Sequence, residues 1–309
     1  MTAPSTPVLS RGDRIFSRSA LFAGSMILVT LAAVALFLIV QSVPAFFATS
    51  ENASILPSNF WAYVWPLVFG TVWAAVLALV IALPLAIGIA LFISHYAPRR
   101  LAAVLGYVVD LLAAVPSVVF GLWGIGVLAP AVQPIYAWLN ANLGWFPLFA
   151  GDASATGKTI LTAAVVLAVM VLPIMTAICR EIFLQAPTLH EEAALALGAT
   201  RWEMIRLAVL PFGRPGIVSA AMLGLGRALG ETMAVAMVLS ATGIVTFKLL
   251  TSENPSTIAA NIALQFPEAY GTNVNVLLAT GLILFLVTFL VNAFARWIVS
   301  RRAEFSGAN

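Results

Sequence analysis

Residues 216–238, GIVSAAMLGLGRALGETMAVAMV, form an apolar run that contains two charged side chains, Arg227 and Glu231. About 20 apolar residues are enough for an α-helix to cross the hydrocarbon core of a bilayer. An ionised side chain near the bilayer centre costs roughly 2.5–3.5 kcal/mol on insertion scales, so it persists only where a partner or a function offsets that cost. The run therefore predicts a transmembrane helix whose two charges do not face lipid.

The composition of the whole chain also indicates a membrane protein. Of its 309 residues, 62% are hydrophobic and only 9% are charged, with a mean hydropathy of +1.04. Soluble domains are about a quarter charged. We therefore predict an all-α, polytopic membrane protein. Its six transmembrane helices are expected within residues 20–43, 65–94, 101–128, 160–179, 216–242 and 274–295.

The arginines predict the orientation, because cytoplasmic loops of membrane proteins are enriched in Lys and Arg. With a cytoplasmic N-terminus, six crossings place twelve of the thirteen arginines in inner segments, and the thirteenth is Arg227. We therefore expect a multi-pass protein of the bacterial plasma (inner) membrane with both termini in the cytoplasm. Because no basic patch remains outside the inner segments, we expect no nucleic-acid partner.

A possible nucleotide-binding loop fails on spacing. Residues 151–159, GDASATGKT, place five residues between Gly151 and Gly157, whereas the phosphate-binding loop has four, and no strand precedes it. The predicted topology also puts it outside the cell. We expect no cofactor on this chain, and any ATP that drives it must bind to another chain.

The inner segment 180–214 is the only inner one long enough to fold on its own. Residues 188–191 and 200–203 each have the spacing of a capping box. Gly198 stands where a helix end favours a positive φ, and Pro211 is expected to end the second helix before the next crossing. The segment thus predicts two short helices at a sharp angle, shaped to insert into another protein. A solvated surface loop is the alternative.

The sequence Glu192-Ala193-Ala194, followed by Gly198 and then by Leu210-Pro211, resembles the EAA loop of bacterial ABC importer permeases. Ala208 stands where that pattern usually has isoleucine. The resemblance implies a type I ABC importer permease architecture and a loop at 187–211 that docks on ATP-hydrolysing subunits. The coupling residues that it implies are Glu191, Glu192, Ala193, Ala194, Gly198, Leu210 and Pro211.

Residues 111–124 and 224–235 are similar to phosphate-specific (Pst) permeases, the second run to their PstC-type subunits. This resemblance implies a non-catalytic permease subunit of an ATP-driven phosphate importer. The implied partners are a homologous PstA-type permease, an ATP-binding subunit dimer, an extracytoplasmic phosphate-binding protein, phosphate and the lipid bilayer. We expect residues 1–60 to hold a tail, an anchor helix and an outer loop, and residues 61–309 to form the permease domain.

Arg227 and Glu231 are spaced four apart, so on one continuous helix they share a face and lie near enough to form an ion pair. Two interpretations remain open on physical grounds. In one, the pair joins helices, helped by Gly226 and Gly230 as a close-packing GxxxG face. In the other, Arg227 lines a path for an anion, and Glu231 holds its guanidinium in place. The resemblance implies the path, with Arg227, Glu231 and Thr232 as its residues.

Two rival functions keep part of this picture. Sulfate or molybdate would also suit an arginine-lined path. A transporter driven by an ion gradient would need several acids or histidines within the membrane, and beside Glu231 the sequence offers only Asp110. We expect Asp110 to be structural, near the inner headgroups, as a partner of a helix N-terminus or of an inner arginine. The segment 129–157, rich in aromatic residues, is predicted to be an outer lid.

Overall fold

The structure, a computed structural model, describes residues 11–303, which are largely α-helical and contain no β-strand. In chain order the helices are α1 (Arg11–Phe46), α2 (Phe60–Leu91), α3 (Arg99–Ala113), α4 (Ser117–Trp123), α5 (Ala129–Leu143), α6 (Ile160–Leu184), α7 (Thr188–Ala196), α8 (Arg201–Met204), α9 (Leu210–Leu229), α10 (Met233–Val238), α11 (Ile258–Gln265) and α12 (Thr272–Ala303). Three π turns extend or join them: Phe92–Tyr96 after α2, Gly124–Leu128 between α4 and α5, and Ile205–Val209 between α8 and α9.

Within the described residues, six helical segments are long and apolar enough to cross a membrane, which confirms the predicted number. They are Ile15–Phe46, Phe60–Tyr96, Ser117–Leu143, Ile160–Leu184, Arg201–Leu229 and Thr272–Trp297. Four of them enclose the predicted runs. The third and the fifth have different bounds from the predicted runs, and this changes where Asp110, Glu231 and Thr232 lie.

The centre of the bundle is the contact between α2 and α6. Along α2, alanines recur at every fourth residue, and each of them is at most 1% exposed: Ala74, Ala78, Ala82, Ala86 and Ala90. Residues four apart lie on one face of a helix. Small side chains at such an interface let two helix backbones approach closely, which is how membrane helices gain packing energy. The α2–α6 pair is therefore a tightly packed unit, whereas α1 packs on α12 and is otherwise exposed.

The third crossing is not residues 101–128, as predicted. Pro116 separates α3 from the crossing helix, which begins at Ser117 and continues through α5 to Leu143. Proline lacks a backbone N–H and restricts the residue before it, so it breaks a helix that the apolar pattern alone would extend. Asp110 therefore lies near the C-terminal end of α3, and the predicted role at the N-terminus of a crossing helix is wrong.

The predicted outer lid, residues 129–157, lies partly within the third crossing, which continues to Leu143. Its first half is α5, and its second half is tied to a later outer segment by backbone hydrogen bonds. The amide of Leu249 donates to the carbonyl of Leu148 at 2.8 Å, and the amide of Ser154 donates to the carbonyl of Leu250 at 2.8 Å. The Asn254 side chain accepts from the amide of Ile160 at 3.0 Å and so fixes the start of α6.

Candidate functional site

The helix of the fifth crossing ends at Leu229, and Gly230, Glu231 and Thr232 separate it from the short helix that continues the predicted run. The helix α9 ends at Leu229, where the amide of Gly230 donates to the carbonyl of Gly226 at 3.3 Å, and a new helix, α10, begins at Met233. Inside a membrane, non-helical backbone is tolerated only where it is buried in protein or lines a water-filled cavity. Such interruptions often mark the binding sites of transporters. The continuous helix expected over residues 216–242 is therefore wrong, and the break is a candidate functional feature.

Glu231 belongs to the second half of this interrupted helix. Its carboxylate Oε1 accepts a hydrogen bond from the amide of Ala234 at 3.2 Å, in the first turn of α10, and its side chain is buried. The hydroxyl of Thr232 donates to the carbonyl of Gly230 at 3.2 Å. Both residues satisfy backbone groups that the break leaves without helical partners.

No ion pair joins Arg227 to Glu231, although both lie in the described part of the chain. The prediction of a pair on one helical face is wrong, because that face ends at Leu229. The Arg227 side chain is half-buried, and its Nε is buried without a hydrogen-bond partner. A guanidinium in this state favours an oxyanion, since a buried donor without a partner carries an uncompensated desolvation cost.

Arg227 opens into a cleft of about 880 Å³ between α6, α9 and α12. On α9 its lining includes Ser219, Leu223 and Arg227, which are spaced four apart and so share one face. The helix α12 contributes Asn292 and Arg296. Two guanidinium groups and an amide line this cleft as donors, together with apolar side chains and the Ser219 hydroxyl, which donates to the carbonyl of Pro215 at 3.0 Å; no carboxylate lies among the described lining residues. Such a set of donors suits an oxyanion.

Of the three predicted path residues, only Arg227 lines the cleft, and Glu231 and Thr232 lie at the break beyond it. Sequence reasoning missed Ser219, Asn292 and Arg296. The four-residue spacing of Ser219 from Leu223 and Arg227 could have indicated the first. Arg296 was counted only as an inner arginine, and its approach to Arg227 depends on how α12 packs against α9.

The GxxxG face makes no helix contact within the described chain. A methyl group built on Gly226 would meet no atom within 4 Å, and one on Gly230 would meet only the Gly226 carbonyl oxygen, at 3.6 Å. By contrast, a methyl on Gly121 would lie 3.0 Å from Ala234 Cα, and one on Gly124 would lie 2.7 Å from Val238 Cγ2. Close packing therefore joins the third crossing to α10 and leaves the Gly226 face open to the cleft.

The first helix of the predicted coupling loop is α7, but the capping box predicted at residues 188–191 does not form. The residue before the helix is Pro187, so Thr188 is already the first helical residue and makes no cap. Glu191 instead approaches His95, whose Nε2 lies 3.4 Å from Glu191 Oε1. On its other side, His95 Nδ1 lies 2.7 Å from the hydroxyl of Ser94. Glu191 thus ties α7 to the π turn that ends the second crossing.

The turn after α7 has the predicted chemistry. Gly198 has φ +85°, a left-handed conformation that side chains with a Cβ rarely adopt. The capping box of residues 200–203 is confirmed, since Glu203 Oε2 accepts from the Thr200 amide at 2.8 Å, and Thr200 Oγ1 accepts from the Glu203 amide at 3.3 Å. A short helix, α7, is therefore joined by a tight turn to a helix that begins at Arg201.

The second helix does not end at Pro211. From Arg201 the chain remains helical through Pro211 and Pro215 to Leu229, so the loop continues directly into the fifth crossing. The π turn Ile205–Val209 comes immediately before Pro211. A π turn widens the helix locally, and Pro211 stands in the first turn after it, where its missing N–H is best tolerated. Leu210 is half-buried and Pro211 is exposed on this helix.

The turn region presents apolar side chains to its surroundings. Glu192 and Ala193 are exposed, Leu197 is 90% exposed, and Leu189 and Trp202 are also largely exposed. Exposed apolar side chains clustered at one end of a bundle mark an interaction surface. Three of the seven predicted coupling residues, Glu192, Ala193 and Gly198, are exposed in this turn region, whereas Glu191, Ala194 and Leu210 are half-buried and Pro211 lies on the following helix.

Residues 82–304 match the model of one protein family, the binding-protein-dependent transport system inner membrane components. The chain belongs to this family. Among its relatives, the phosphate transport system permease protein PstC 2 of Mycobacterium tuberculosis is 49% identical over 307 residues, 95% of this chain and 94% of that protein. PstC of Mycobacterium leprae is 50% identical over 219 residues, 69% of this chain and 67% of that protein. PstC of Xylella fastidiosa (strain Temecula1) is 42% identical over 221 residues, covering 70% and 67%.

A solved structure of a bacterial ABC transporter involved in the import of the polysaccharide alginate contains a chain with a similar fold. The TM-score is 0.60 at 18% identity, with 94% of this chain and 99% of that chain covered. At this identity the likeness shows the fold alone. With the family match, it confirms the ABC importer permease architecture. The identity to PstC proteins confirms the resemblance of the chain to phosphate-specific permeases.

Proposed function

We propose that this chain is the PstC-type permease subunit of an ATP-driven importer of inorganic phosphate. The observation that carries the proposal is the 49% identity, over 95% of the chain, to a protein named as a phosphate transport system permease. The cleft around Arg227 supports it, because its donors are two guanidinium groups and an amide. Phosphate is an oxyanion that such donors recognise.

In this proposal Arg227 binds phosphate transiently in the cleft, and Arg296 adds a second positive charge. Binding must stay weak enough for the ion to leave. Glu231 and Thr232 belong to the path because they hold the helix break in place, through their hydrogen bonds to Ala234 and Gly230. The role differs from the one that the sequence suggested for Glu231, which was to hold the guanidinium.

The same proposal assigns the partners. A PstA-type permease would complete the path, an extracytoplasmic binding protein would deliver phosphate, and a dimer of ATP-binding subunits would dock on residues 187–211. The chain would lie in the bacterial inner membrane with both termini in the cytoplasm, with its permease domain over residues 61–309. ATP hydrolysis would occur on the partner, so this chain is not an enzyme by itself. Closure of the ATPases would rock the transmembrane halves and alternate access to the cleft.

The test is the variant Arg227→Gln in the assembled transporter, compared with Arg227→Lys. We expect Arg227→Gln to lower uptake of radiolabelled phosphate about tenfold or more, the effect of losing one charged hydrogen bond. Arg227→Lys keeps the charge but loses the forked geometry, so we expect an intermediate effect.

Copurification with the ATPase provides the control for folding and assembly. If assembly is lost together with uptake, Arg227 is a structural residue and the proposed path is wrong. Competition with sulfate and molybdate checks the cargo, since either anion blocking uptake as well as phosphate does would contradict phosphate specificity. Uptake that persists without ATP would contradict the proposed energy source.

A further inference from the structure

A second cleft, of about 590 Å³, lies at the end of the bundle that carries α7 and shares no lining residue with the Arg227 cleft. It is enclosed by the π turn after α2, by α3 and by the C-terminal end of α6. Its polar lining includes Ser94, Arg99, Tyr107, Asp110 and Arg180. In the orientation proposed above, this cleft faces the inner leaflet of the membrane.

The guanidinium of Arg180 is held in this cleft by shape. A methyl group on Gly106 would collide with Arg180 Nη1, so the absence of a side chain at position 106 creates the seat for the arginine. Arg180 Nε is buried without a hydrogen-bond partner, and the side chain forms no ion pair among the described residues. The burial of Nε is therefore not offset by a hydrogen bond within the described chain, while the side chain as a whole is half-buried and lines the cleft.

The other charged groups leave the cleft positive. Arg99 is exposed at its rim, and Asp110 is the one acid in the lining. Neither arginine forms an ion pair with Asp110 in the described chain. Two cations against one acid give a net positive charge, which favours an anionic ligand.

The face of α3 beside the cleft is apolar and uncovered. Val104, Tyr107, Val108 and Leu111 are spaced as one helical face, and their exposures are 57%, 73%, 43% and 70%. Tyr107 belongs both to this face and to the cleft lining. An apolar helix face next to a seated arginine matches a ligand that has a phosphate group and hydrocarbon chains.

We propose that this cleft binds the headgroup of an anionic phospholipid, with its phosphate on Arg180 and Arg99 and its acyl chains along α3. Basic pockets between helices at the cytoplasmic side of membrane proteins bind such headgroups. A free phosphate ion has the same headgroup chemistry. The lipid is favoured because the exposed apolar row from Val104 to Leu111 would contact its acyl chains, whereas an inorganic phosphate ion would leave this row without a ligand contact.

The experiment measures lipid that stays bound to the assembled transporter. The complex, purified in detergent, is incubated with mixed micelles of phosphatidylglycerol or phosphatidylcholine, and retained lipid is counted by native mass spectrometry. We expect the unmodified transporter to retain phosphatidylglycerol and not phosphatidylcholine. Arg180→Gln should lower retention about tenfold or more, the effect of losing a charged hydrogen bond. Arg100→Gln is the matched control, because Arg100 is an exposed neighbour outside the cleft lining.

A second variant, Gly106→Ala, keeps the arginine but fills its seat, and it should also lower retention. If Arg180→Gln does not assemble, lipid retention is measured on Gly106→Ala and Arg180→Lys instead. Unchanged retention in the variants that assemble would overturn the proposal. If millimolar inorganic phosphate displaces the lipid completely, the site is one for the free ion, and the lipid assignment is wrong. The count does not depend on transport, so it can fail while the proposed function stands.

Discussion

At the scale of single residues, the buried charges have different partners from those that their spacing suggests. Arg227 and Glu231 are four apart, yet Glu231 caps α10 while Arg227 faces a cleft. The same holds for Glu191, which was expected to cap its own helix and instead approaches His95, 96 residues earlier in the chain. A polar side chain near a helix end can bond either to the local backbone or to a distant side chain. The sequence pattern alone does not show which of the two it does.

The absence of an ion pair between Arg227 and Glu231 in the described chain predicts that their effects on stability are additive. We expect the losses of stability in Arg227→Gln and Glu231→Gln, measured by thermal unfolding of the purified complex, to sum in the double variant to within about 0.5 kcal/mol. Glu231→Gln keeps an oxygen that can accept from Ala234, whereas Glu231→Leu removes it. The leucine variant should therefore be less stable by about 1 kcal/mol, the usual cost of a lost cap.

A control pair for this comparison of single and double variants should not include Asp110, because Asp110 lines the second cleft. A coupling energy well above 0.5 kcal/mol between Arg227 and Glu231 would mean that the two charges interact directly. Such a result would support the ion pair predicted from the sequence. It would contradict the conclusion that the helix break separates the two side chains.

At the scale of helices, apolar runs predicted the number of crossings, and proline predicted their ends poorly. Pro116 divides an apolar run that reads as one helix, because the turn before it ends α3. Pro211 and Pro215 do the opposite and lie within a continuous helical segment. Pro84 and Pro173 also lie within continuous helices, so the presence of a proline in an apolar run does not by itself predict whether the helix ends there.

The turn at Gly198 gives a prediction for the coupling element. Gly198→Val forces a β-branched residue to φ +85°, which costs of order 1–3 kcal/mol and should shift the turn between α7 and α8. We expect the assembled transporter to hydrolyse ATP while phosphate uptake per ATP falls severalfold. Both rates are measured on the same proteoliposomes.

Gly243→Val is the matched control for that substitution. Gly243 has φ +75°, and a methyl group at either glycine would meet no atom within 4 Å, so the local strain is similar. Gly243 lies in the segment between α10 and α11, away from the coupling loop. Equal loss of coupling in both variants would show that backbone strain in general, rather than the α7–α8 turn, is responsible.

At the scale of the whole molecule, the sequence was sufficient for the fold class and for the order of crossings, because both depend on apolar length. The candidate site was predicted only in part. Arg227 stood out as a charge within an apolar run, whereas Arg296 comes from a helix 69 residues further on and joins it through packing. The Arg180 seat on Gly106 was missed for the same reason, since it needs the contact of α3 with α6.

The proposed orientation of the molecule is tested by labelling cysteines. Cys179 is the only cysteine and is buried, so Cys179→Ser gives a background without thiols. In that background we add Leu197→Cys, at a position that is 90% exposed beside α7, or Trp145→Cys, 79% exposed at the other end of the bundle. A membrane-impermeant maleimide should label the first only in inside-out vesicles stripped of ATPase, and the second only from outside intact cells. The reverse pattern would invert the proposed topology.

The π turn Ile205–Val209 has a consequence for how the coupling loop is aimed. Each residue of an α-helix advances the side-chain direction by about 100°, and a π turn contains one residue more than the helical turn that it replaces. The turn therefore absorbs one additional residue within a single revolution, and α8 before it keeps nearly the setting that it would have on a continuous helix with α9. If the same residues formed a regular α-helix instead, the exposed Leu197 and Trp202 would be swung by roughly a quarter of a revolution about the α9 axis, without any change to either side chain.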